Sequence, residues 1–227
     1  MSKRYRSACE KVDSDKAFEL KEALGLLLSL PSAKFDETVE LTLQLTPDPK
    51  DANTVTRGVV QLPNGNGKTV RVIAFTENAA DAKEAGAKEA GLADLIEKVQ
   101  GGWLDFDVAV ATVEAMKDVK VLARVLGPKG LMPSPKAGTV TDNDKLADCI
   151  QALQKGRVEF KSDKTSHIQL GVGKRSFGVD KLVANIEAIL EAIKRAKPAS
   201  ISGKFILGGF LSSTMSPSIR LNSSLFA

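Results

Sequence analysis

Two glycine turns that contain lysine are the first segments whose residue types could carry chemistry. Residues 65–69 read GNGKT and residues 171–176 read GVGKRS, so both match the end of a phosphate-binding loop. The complete motif needs another glycine five positions before the glycine that precedes the lysine, where this sequence has Leu62 and Ile168. Without it the backbone amides are poorly placed to cradle a phosphate. We therefore interpret residues 63–68 as a hinge, with nucleotide binding there as the less favoured alternative.

Catalytic and metal-ligating residue types are sparse and poorly spaced. The single histidine, His167, has no nucleophile motif around it. Asp105 and Asp107 could hold a cation, but no companion carboxylate follows at a suitable spacing. Cys9 and Cys149 lie far apart without metal-ligand spacing, which fits a reduced cytoplasmic compartment. We expect structural roles for all five residues, no cofactor and no catalysis.

Basic side chains near the N-terminus and in predicted turns are the stronger candidates, for contacts with nucleic-acid phosphates. They are Lys3, Arg4 and Arg6 beside Tyr5, and Lys161, Lys164, Lys174, Arg175, Lys204 and Arg220. Aromatic residues make up only 5% of the chain, so stacking on single-stranded bases is a poor explanation. Recognition of the backbone and 2′-hydroxyls of a folded RNA fits better. Composition alone is equally compatible with a solvated basic face.

The net charge is small but unevenly distributed along the chain. The 227 residues include 32 basic and 28 acidic side chains, a net charge of +4. Residues 1–66 carry 9 basic and 10 acidic side chains (net −1), and residues 67–155 carry 12 basic and 13 acidic ones (net −1). Residues 156–227 carry 11 basic and 5 acidic side chains (net +6). An anion-binding surface is therefore expected in the last segment. The composition, 43% hydrophobic with no long apolar run, excludes disordered, disulfide-rich and membrane-spanning chains.

These segments need a scaffold, and hydrophobic periodicity predicts one in the outer thirds of the chain. The predicted elements are helices from near Ser14 through Phe18 to about residue 30 and over 179–196, and strands at 38–45, 57–63, 157–160, 167–172 and 204–214. The first of these strands alternates apolar and polar side chains, as a half-buried strand does. The third and fourth are predicted to pair with each other across the turn between them.

The middle third reads as alternating strands and helices, which is typical of an α/β domain. Its predicted elements are buried strands at 69–75 and 106–112, helices at 78–90, 92–99 and 144–154, and a proline- and glycine-rich loop at 126–141. The two ends of the chain are each too small to bury a core alone. We therefore predict one discontinuous domain from residues 1–66 and 156–227, with residues 67–155 inserted between hinges near residues 63–68 and near residues 155–157.

Motifs along nearly the whole chain resemble the ribosomal protein L-one family of the large subunit, in its bacterial form. The matching stretches are KFDETVEL (34–41), GWLDFDVAVAT (102–112), LGPKGLMPSPKAGTVT (126–141), RVEFKSDKT (157–165), VGKRSF (172–177) and SSTMSPSIRLN (212–222). The resemblance implies an α/β (α+β) fold of two domains. A discontinuous split α+β domain holds the main RNA site, and the inserted domain is a Rossmann-like three-layer α/β structure.

The resemblance also implies a function and partners. Members of this family bind a helical, internally looped region of the 23S-type ribosomal RNA, form the mobile stalk near the exit site and aid release of deacylated tRNA. Many bacterial members also repress their own operon by binding the messenger leader. We expect a non-enzymatic, cytoplasmic protein of the large ribosomal subunit that has these three RNA partners and is monomeric when free. The alternatives are an α/β nucleotide-binding enzyme that uses the middle domain, and an interaction module with an incidental basic face.

Carried over by motif, the resemblance places RNA contacts at both ends of the chain. They are Phe35, Thr38 and Glu40 in the first part, and Ser212, Thr214, Met215 and Ser216 near the C-terminus. Phe35 can pack on a ribose, and Glu40 can accept a hydrogen bond from a 2′-hydroxyl, which DNA lacks. The basic candidates are Lys3, Arg4, Arg6, Lys164, Lys174 and Arg220, with weaker contacts around Lys129 and Lys136. Ser216 stands where the family usually has glycine, which either alters binding or adds a hydrogen bond.

Overall fold

The structure is a computed structural model that describes residues 2–13, 16–47, 56–135, 138–154, 156–198, 200–201 and 203–226. Three residues used in the predictions, Ser14, Lys136 and Lys155, lie outside that set. The chain divides into unit 1 (Met1–Gly67 and Val158–Ala227) and unit 2 (Lys68–Arg157). None of the described helices is long and apolar enough to cross a membrane.

Helices and strands alternate along the chain in a mixed order. They are α1 (Lys3–Cys9), α2 (Leu20–Ser29), β1 (Thr38–Leu45), β2 (Arg57–Gln61), β3 (Val72–Phe75), α3 (Ala79–Glu84), β4 (Glu89–Gly91), α4 (Ala93–Gln100), β5 (Val108–Thr112), α5 (Met116–Val119), α6 (Ala123–Leu126), β6 (Val140–Thr141), α7 (Leu146–Gln154), β7 (Arg157–Lys161), β8 (His167–Lys174), α8 (Val179–Arg195), β9 (Ile206–Ser213) and β10 (Ile219–Arg220). Antiparallel and parallel sheets are both present, which confirms the predicted α/β class.

Unit 1 is built around a four-stranded antiparallel sheet in the order β10-β9-β1-β8. The predicted alternation of β1 is confirmed, because Val39, Leu41 and Leu43 are fully buried while Glu40 on the other face is exposed. The apolar face packs with side chains of α2 and α8 into one core. An antiparallel sheet covered on one side presents a polar face on the other. We call this second side the open face.

Two predicted details of unit 1 are wrong. β7 pairs with β2 in a separate two-stranded sheet, whereas β8 pairs with β1. The long ladder with β1 gives β8 more backbone hydrogen bonds than a short hairpin with β7 could offer. Phe18 does not lie in a helix: its N–H donates to Arg220 O (3.0 Å), and α2 begins only after Glu19.

Unit 2 holds four parallel strands in the order β4-β3-β5-β6. β3 is buried on both faces, since Ile73 and Phe75 pack with α4 while Val72 and Ala74 pack with α7. Helices on both sides of the sheet make three layers, as the continuous apolar runs predicted.

The helices of unit 2 differ from the prediction in two places. The helix predicted for residues 78–90 ends at Glu84, because Gly86 has a φ of 102°, a left-handed angle that a helix cannot contain. The chain then forms β4, which adds a fourth strand to the sheet. No helix was predicted for residues 116–126, where α5, a short 3₁₀ turn and α6 follow one another.

Candidate RNA-binding site

One end of the unit 1 sheet brings together three of the predicted RNA-binding residues. Lys174, the last residue of β8, donates a hydrogen bond from Nζ to Thr38 Oγ1 (2.8 Å). The Thr38 N–H donates to Thr214 Oγ1 (3.0 Å), and the Thr214 N–H donates to Thr38 O (3.1 Å). Thr38 and Thr214 are 176 positions apart in the sequence, so only the fold can join them. We call this cluster of Thr38, Lys174 and Thr214 the polar end of the sheet.

The open face continues from the polar end through Glu40. Glu40 lies opposite Ser212 on β9 and Gly171 on β8, and its side chain is exposed. Gly171 has no side chain to cover it. An ionised carboxylate only accepts hydrogen bonds, so this position suits a ribose hydroxyl and disfavours a phosphate.

Two large apolar side chains beside the polar end are exposed. Phe35 precedes β1 and is 53% exposed, and Met215 directly follows Thr214 and is 49% exposed. Each adjoins the polar end, and exposed apolar surface rimmed by polar groups is typical of an interaction site. Together they can cover the apolar faces of sugars while the polar end provides hydrogen bonds.

Glu37 organises this region and was missed in the sequence predictions. It is only 1% exposed. Its Oε1 accepts a hydrogen bond from the Ala33 N–H (2.6 Å), and its Oε2 accepts one from the Ser213 hydroxyl. Arg175 Nη1 lies 3.6 Å from the same Oε2 as a buried counter-charge. The segment before β1, the end of β9 and the end of β8 therefore meet at one carboxylate.

The Glu37 carboxyl is held in its charged form. Burial raises its pKa, but the hydrogen bonds and two nearby cations lower it by more, so the net shift is downward. The cations are Arg175 and Arg4. A sequence signal for its burial existed, since Glu37 is two residues from Val39 and side chains two apart on an extended segment share a face.

A second carboxylate reinforces the same contact between segments. Asp36 Oδ2 accepts a hydrogen bond from the Ser176 hydroxyl (2.7 Å), and its Oδ1 accepts one from the Ser176 N–H (3.2 Å). Arg175 Nη2 also donates to Leu28 O (2.7 Å). The residues that follow β8 are thus fixed both to the segment before β1 and to the end of α2.

The hydroxyl of Ser216 is used within the turn after β9. It accepts a hydrogen bond from the Ser213 N–H (2.9 Å) and donates one to Pro217 O (3.0 Å). Because both partners lie in the same turn, the hydroxyl stabilises that turn in this structure. The expectation that it adds a hydrogen bond to RNA gains no support from this geometry.

Most of the predicted basic residues of unit 1 lie near this region. Lys3, Arg4 and Arg6 are on α1, and the charge of Arg4 helps to lower the pKa of Glu37, so Arg4 lies within electrostatic range of that carboxylate. Arg220 is exposed on β10, the edge strand next to β9. These cations lie where they can meet phosphates of an RNA bound at the open face.

Lys164 lies elsewhere. It is in the turn before β8, and the first residue of β8, His167, pairs with Gln44 near the far end of β1. Lys174 is seven residues further along β8, about 23 Å away at 3.3 Å per residue. The structure therefore does not bring Lys164 together with the polar end.

The two aspartates first considered as metal ligands, Asp105 and Asp107, are engaged in ion pairs. Arg71 Nε lies 3.0 Å from Asp107 Oδ2, and Lys88 Nζ lies 2.5 Å from Asp105 Oδ2. Hydrogen bonds from Arg71 lower the pKa of Asp107 to about 2. Within the described part of the chain, no three potential metal ligands come together.

The two glycine turns also lack the context of a phosphate-binding loop. Residues 65–69 continue into β3, whereas a phosphate-binding loop opens a helix. Asn185 Oδ1 accepts a hydrogen bond from the Asn64 N–H (3.1 Å), and Asn185 Nδ2 donates one to Gly65 O (2.9 Å). Residues 171–176 form the end of β8 and the 3₁₀ turn after it.

Unit 2 presents a line of cations that was not predicted. Lys117, Lys120 and Arg124 are exposed along residues 116–126 at spacings of three and four, which place them on one side of a helix. Lys129, a predicted weaker contact, is exposed in the turn that follows. Among the described residues, no ion pair engages any of the four. We call them the basic ridge.

Comparison with known proteins identifies the family. The model of the family described as "Ribosomal protein L1p/L10e family" matches residues 27–217. Proteins named "Large ribosomal subunit protein uL1" from Protochlamydia amoebophila (strain UWE25) and Cutibacterium acnes (strain DSM 16379 / KPA171202) are each 48% identical over 223 residues, 97% of this chain and 94% and 95% of those proteins. The protein of that name from Lactiplantibacillus plantarum (strain ATCC BAA-793 / NCIMB 8826 / WCFS1) is 45% identical over 227 residues, 99% of this chain and 98% of its own length.

These matches confirm the resemblance drawn from the motifs. The three relatives align over 97–99% of the chain, so the matches include both units and the polar end. The matched proteins are ribosomal proteins, which confirms that the chain is not an enzyme and argues against the nucleotide-binding alternative. The chain belongs to the ribosomal protein L1p/L10e family.

Proposed function

We propose that this protein is a constituent of the large ribosomal subunit and binds its 23S-type ribosomal RNA through unit 1. The relatives' names support the assembly. One observation carries the site: Thr38, Lys174 and Thr214 form a hydrogen-bonded cluster with exposed Phe35 and Met215 beside it. Hydroxyls, an ammonium and apolar surface side by side match the hydroxyls, phosphates and sugar faces of an RNA backbone.

The proposed recognition depends on ribose. Glu40 accepts a hydrogen bond from a 2′-hydroxyl, Ser212 is its neighbour across the strand pair, and Phe35 packs on a sugar. Lys174 and the basic residues of α1 neutralise phosphates and so bring RNA to the surface without reading its sequence. Arg220 has the same role at the other edge of the open face.

The proposed division of labour follows the two domains predicted from the sequence. Residues 1–66 and 156–227 form the RNA-binding domain, and residues 67–155 form the Rossmann-like inserted domain. The charge distribution supports this division, because the excess of +6 belongs to residues 156–227. As part of the mobile stalk near the exit site, the inserted domain contacts the backbone of deacylated tRNA and aids its release. The basic ridge, Lys117 to Lys129, supports that contact.

We also propose that the same surface of unit 1 binds the protein's own messenger leader and represses translation. A surface that reads the backbone of a folded RNA accepts any RNA with the same fold. The free protein, which we propose to be a monomer, then binds ribosomal RNA first. It binds the messenger only when the protein is in excess over ribosomal RNA.

Gel-shift titration of three matched nucleic acids tests the proposal. The probes are a looped-stem fragment of 23S-type ribosomal RNA, the same fragment in DNA and an unrelated RNA duplex of equal length. We expect tight binding to the first probe alone, and a marked loss of that binding in Thr214→Ala. Equal affinity for all three probes would instead indicate an incidental basic face.

A further inference from the structure

The Glu37 side chain joins two segments that carry proposed RNA contacts. Through Oε1 it binds the Ala33 N–H (2.6 Å), which fixes the segment holding Phe35. Through Oε2 it binds the Ser213 hydroxyl, one residue before Thr214. Phe35 and Thr214 come from opposite ends of the chain, so their relative placement depends on contacts of this kind.

A third segment is tied to the same residue. Arg175, next to Lys174, places Nη1 3.6 Å from Glu37 Oε2, and its backbone N–H donates to Glu37 O (2.9 Å). Arg175 Nη1 is buried and has no hydrogen-bond partner among the described residues. The ion pair with Glu37 therefore offsets the cost of removing this charged nitrogen from water. Leaving a buried nitrogen of a charged guanidinium without its counter-charge is costly, which makes the pair hard to break without moving the segment.

We propose that Glu37 is a positioning residue for RNA binding. It holds Phe35 on one side and Thr214 and Met215 on the other at the spacing that the RNA backbone requires. At 1% exposure it does not touch RNA itself. This inference rests on the proposed function of the polar end. Its physical basis is pre-organisation, because segments already fixed lose less conformational freedom on binding.

A carboxylate suits this position better than its neutral amide. Both the Ala33 N–H and the Ser213 hydroxyl donate, and a carboxylate has two accepting oxygens. Glutamine keeps the shape with one accepting oxygen and no charge for Arg175. Glu37→Gln therefore preserves part of the arrangement, and Glu37→Ala removes all of it.

The test measures affinity for the looped-stem fragment of ribosomal RNA, using full chains whose folding is verified by circular dichroism. Ser162→Ala is the matched control, because Ser162 is a buried polar residue of unit 1 near Leu45 at the other end of the sheet. We expect a loss of about tenfold in Glu37→Ala, about threefold in Glu37→Gln, and less than about twofold in the control.

A double-mutant cycle separates positioning from general destabilisation. In a Phe35→Ala, Thr214→Ala, Met215→Ala background, Glu37→Ala should cost less than about twofold more, because the three contacts that it positions are already removed. A full tenfold loss in that background overturns the inference. So does a folded Glu37→Ala that binds like the wild type while Thr214→Ala does not.

The proposed function fails differently. If Thr214→Ala, Met215→Ala and Glu37→Ala all bind RNA like the wild type, the site itself is wrong, and the positioning role falls with it. Should Glu37→Ala not fold, Ser213→Ala removes the hydrogen bond from the Ser213 hydroxyl to Glu37 Oε2 and leaves the ion pair between Glu37 and Arg175. A folded Ser213→Ala that loses about threefold in affinity supports the inference, and unchanged affinity overturns it.

Discussion

The two units each contain a network of charged side chains, and the networks are built in opposite ways. In unit 1, Glu37 and the Nη1 atom of Arg175 are buried, and their contacts join segments that are far apart in sequence. In unit 2, Arg71, Asp105 and Lys88 are more exposed and join the starts of neighbouring strands. The network in unit 2 has more charged side chains. The network in unit 1 instead fixes the segments that carry the proposed RNA contacts Phe35 and Thr214.

Burial explains the difference. Exposed ion pairs are screened by water and contribute little, whereas a buried carboxylate is tolerated only when several donors compensate it. Such a carboxylate has fixed hydrogen-bond partners, so it can set the relative positions of the exposed residues on the segments that it joins. The +6 excess of the last segment attracts RNA, yet the residue that orders the proposed site is an acid from the first segment. We infer that burial and connectivity locate this site better than net charge does.

The largest expected effect separates the two networks by stability. Arg175→Met leaves Glu37 buried without its paired counter-charge, with only the weaker influence of Arg4 remaining, and should lower the free energy of unfolding by about 3–5 kcal/mol. Urea unfolding followed by far-UV circular dichroism measures it, while fluorescence of Trp103, in unit 2, reports that unit alone. The control Arg71→Met should change stability far less, since Arg71 is exposed. Equal losses in the free energy of unfolding for Arg175→Met and Arg71→Met would contradict the difference drawn between the buried and the exposed network.

The next effect concerns RNA affinity and contrasts the polar end with the basic ridge. Thr214→Ala or Met215→Ala should each weaken binding to the ribosomal RNA fragment by about 1–3 kcal/mol, because a specific contact is lost. Lys129→Ala should change it much less, since unit 2 is proposed to contact tRNA. Gel-shift titration at one fixed salt concentration distinguishes them, and a larger loss in Lys129→Ala would move the main site to unit 2.

A smaller effect distinguishes the two ends of β8. Lys174→Ala removes a phosphate contact and should reduce the slope of log affinity against log salt by about 1. Lys164→Ala removes the same charge from the turn before the other end of β8 and should leave the slope unchanged. Titrations at several salt concentrations give both slopes. Equal slopes for the two variants would show that only net charge matters.

The smallest effect is a pH dependence of the exposed network. Asp107 has its pKa lowered to about 2, mainly by the hydrogen bond from Arg71, against an ordinary value of 3.8. A depressed folded-state pKa stabilises the protein above pH 3.8, and this stabilisation is lost as the pH falls toward 2. Asp107→Asn should therefore flatten the melting temperature between about pH 4 and 2. If the melting temperature of Asp107→Asn falls between pH 4 and 2 as steeply as that of the wild type, the stabilisation belongs to other carboxylates.

Regular elements of the fold follow from local patterns in the sequence. The alternation at residues 38–45 predicted β1 and its buried face, and the apolar run at 69–75 predicted β3 between two layers. Local patterns failed where a distant partner decided the outcome. β8 pairs with β1 across more than 120 residues rather than with adjacent β7. The alanine-rich segment after Asn78 favours a helix by composition, which did not predict that α3 ends at Glu84, before the left-handed angle of Gly86.

The proposed site was accessible from sequence only in part. Motif resemblance pointed to Thr38 and Thr214 but not to the hydrogen bonds between them, because those depend on how distant strands align. Glu37 could have been found from its position two residues before Val39. The exposure of Phe35 was expected only from the motif resemblance, since an aromatic residue beside a strand is by residue type more often buried.

Photo-crosslinking in cells tests the central claim most directly. A photoreactive amino acid replaces Met215, next to the polar end, or Lys164, at the other end of the sheet, and the attached RNA is sequenced. We predict large-subunit ribosomal RNA, concentrated in one looped helical region, from position 215 and little from position 164. Equal crosslinking from both positions, or none to ribosomal RNA from position 215, would contradict the account.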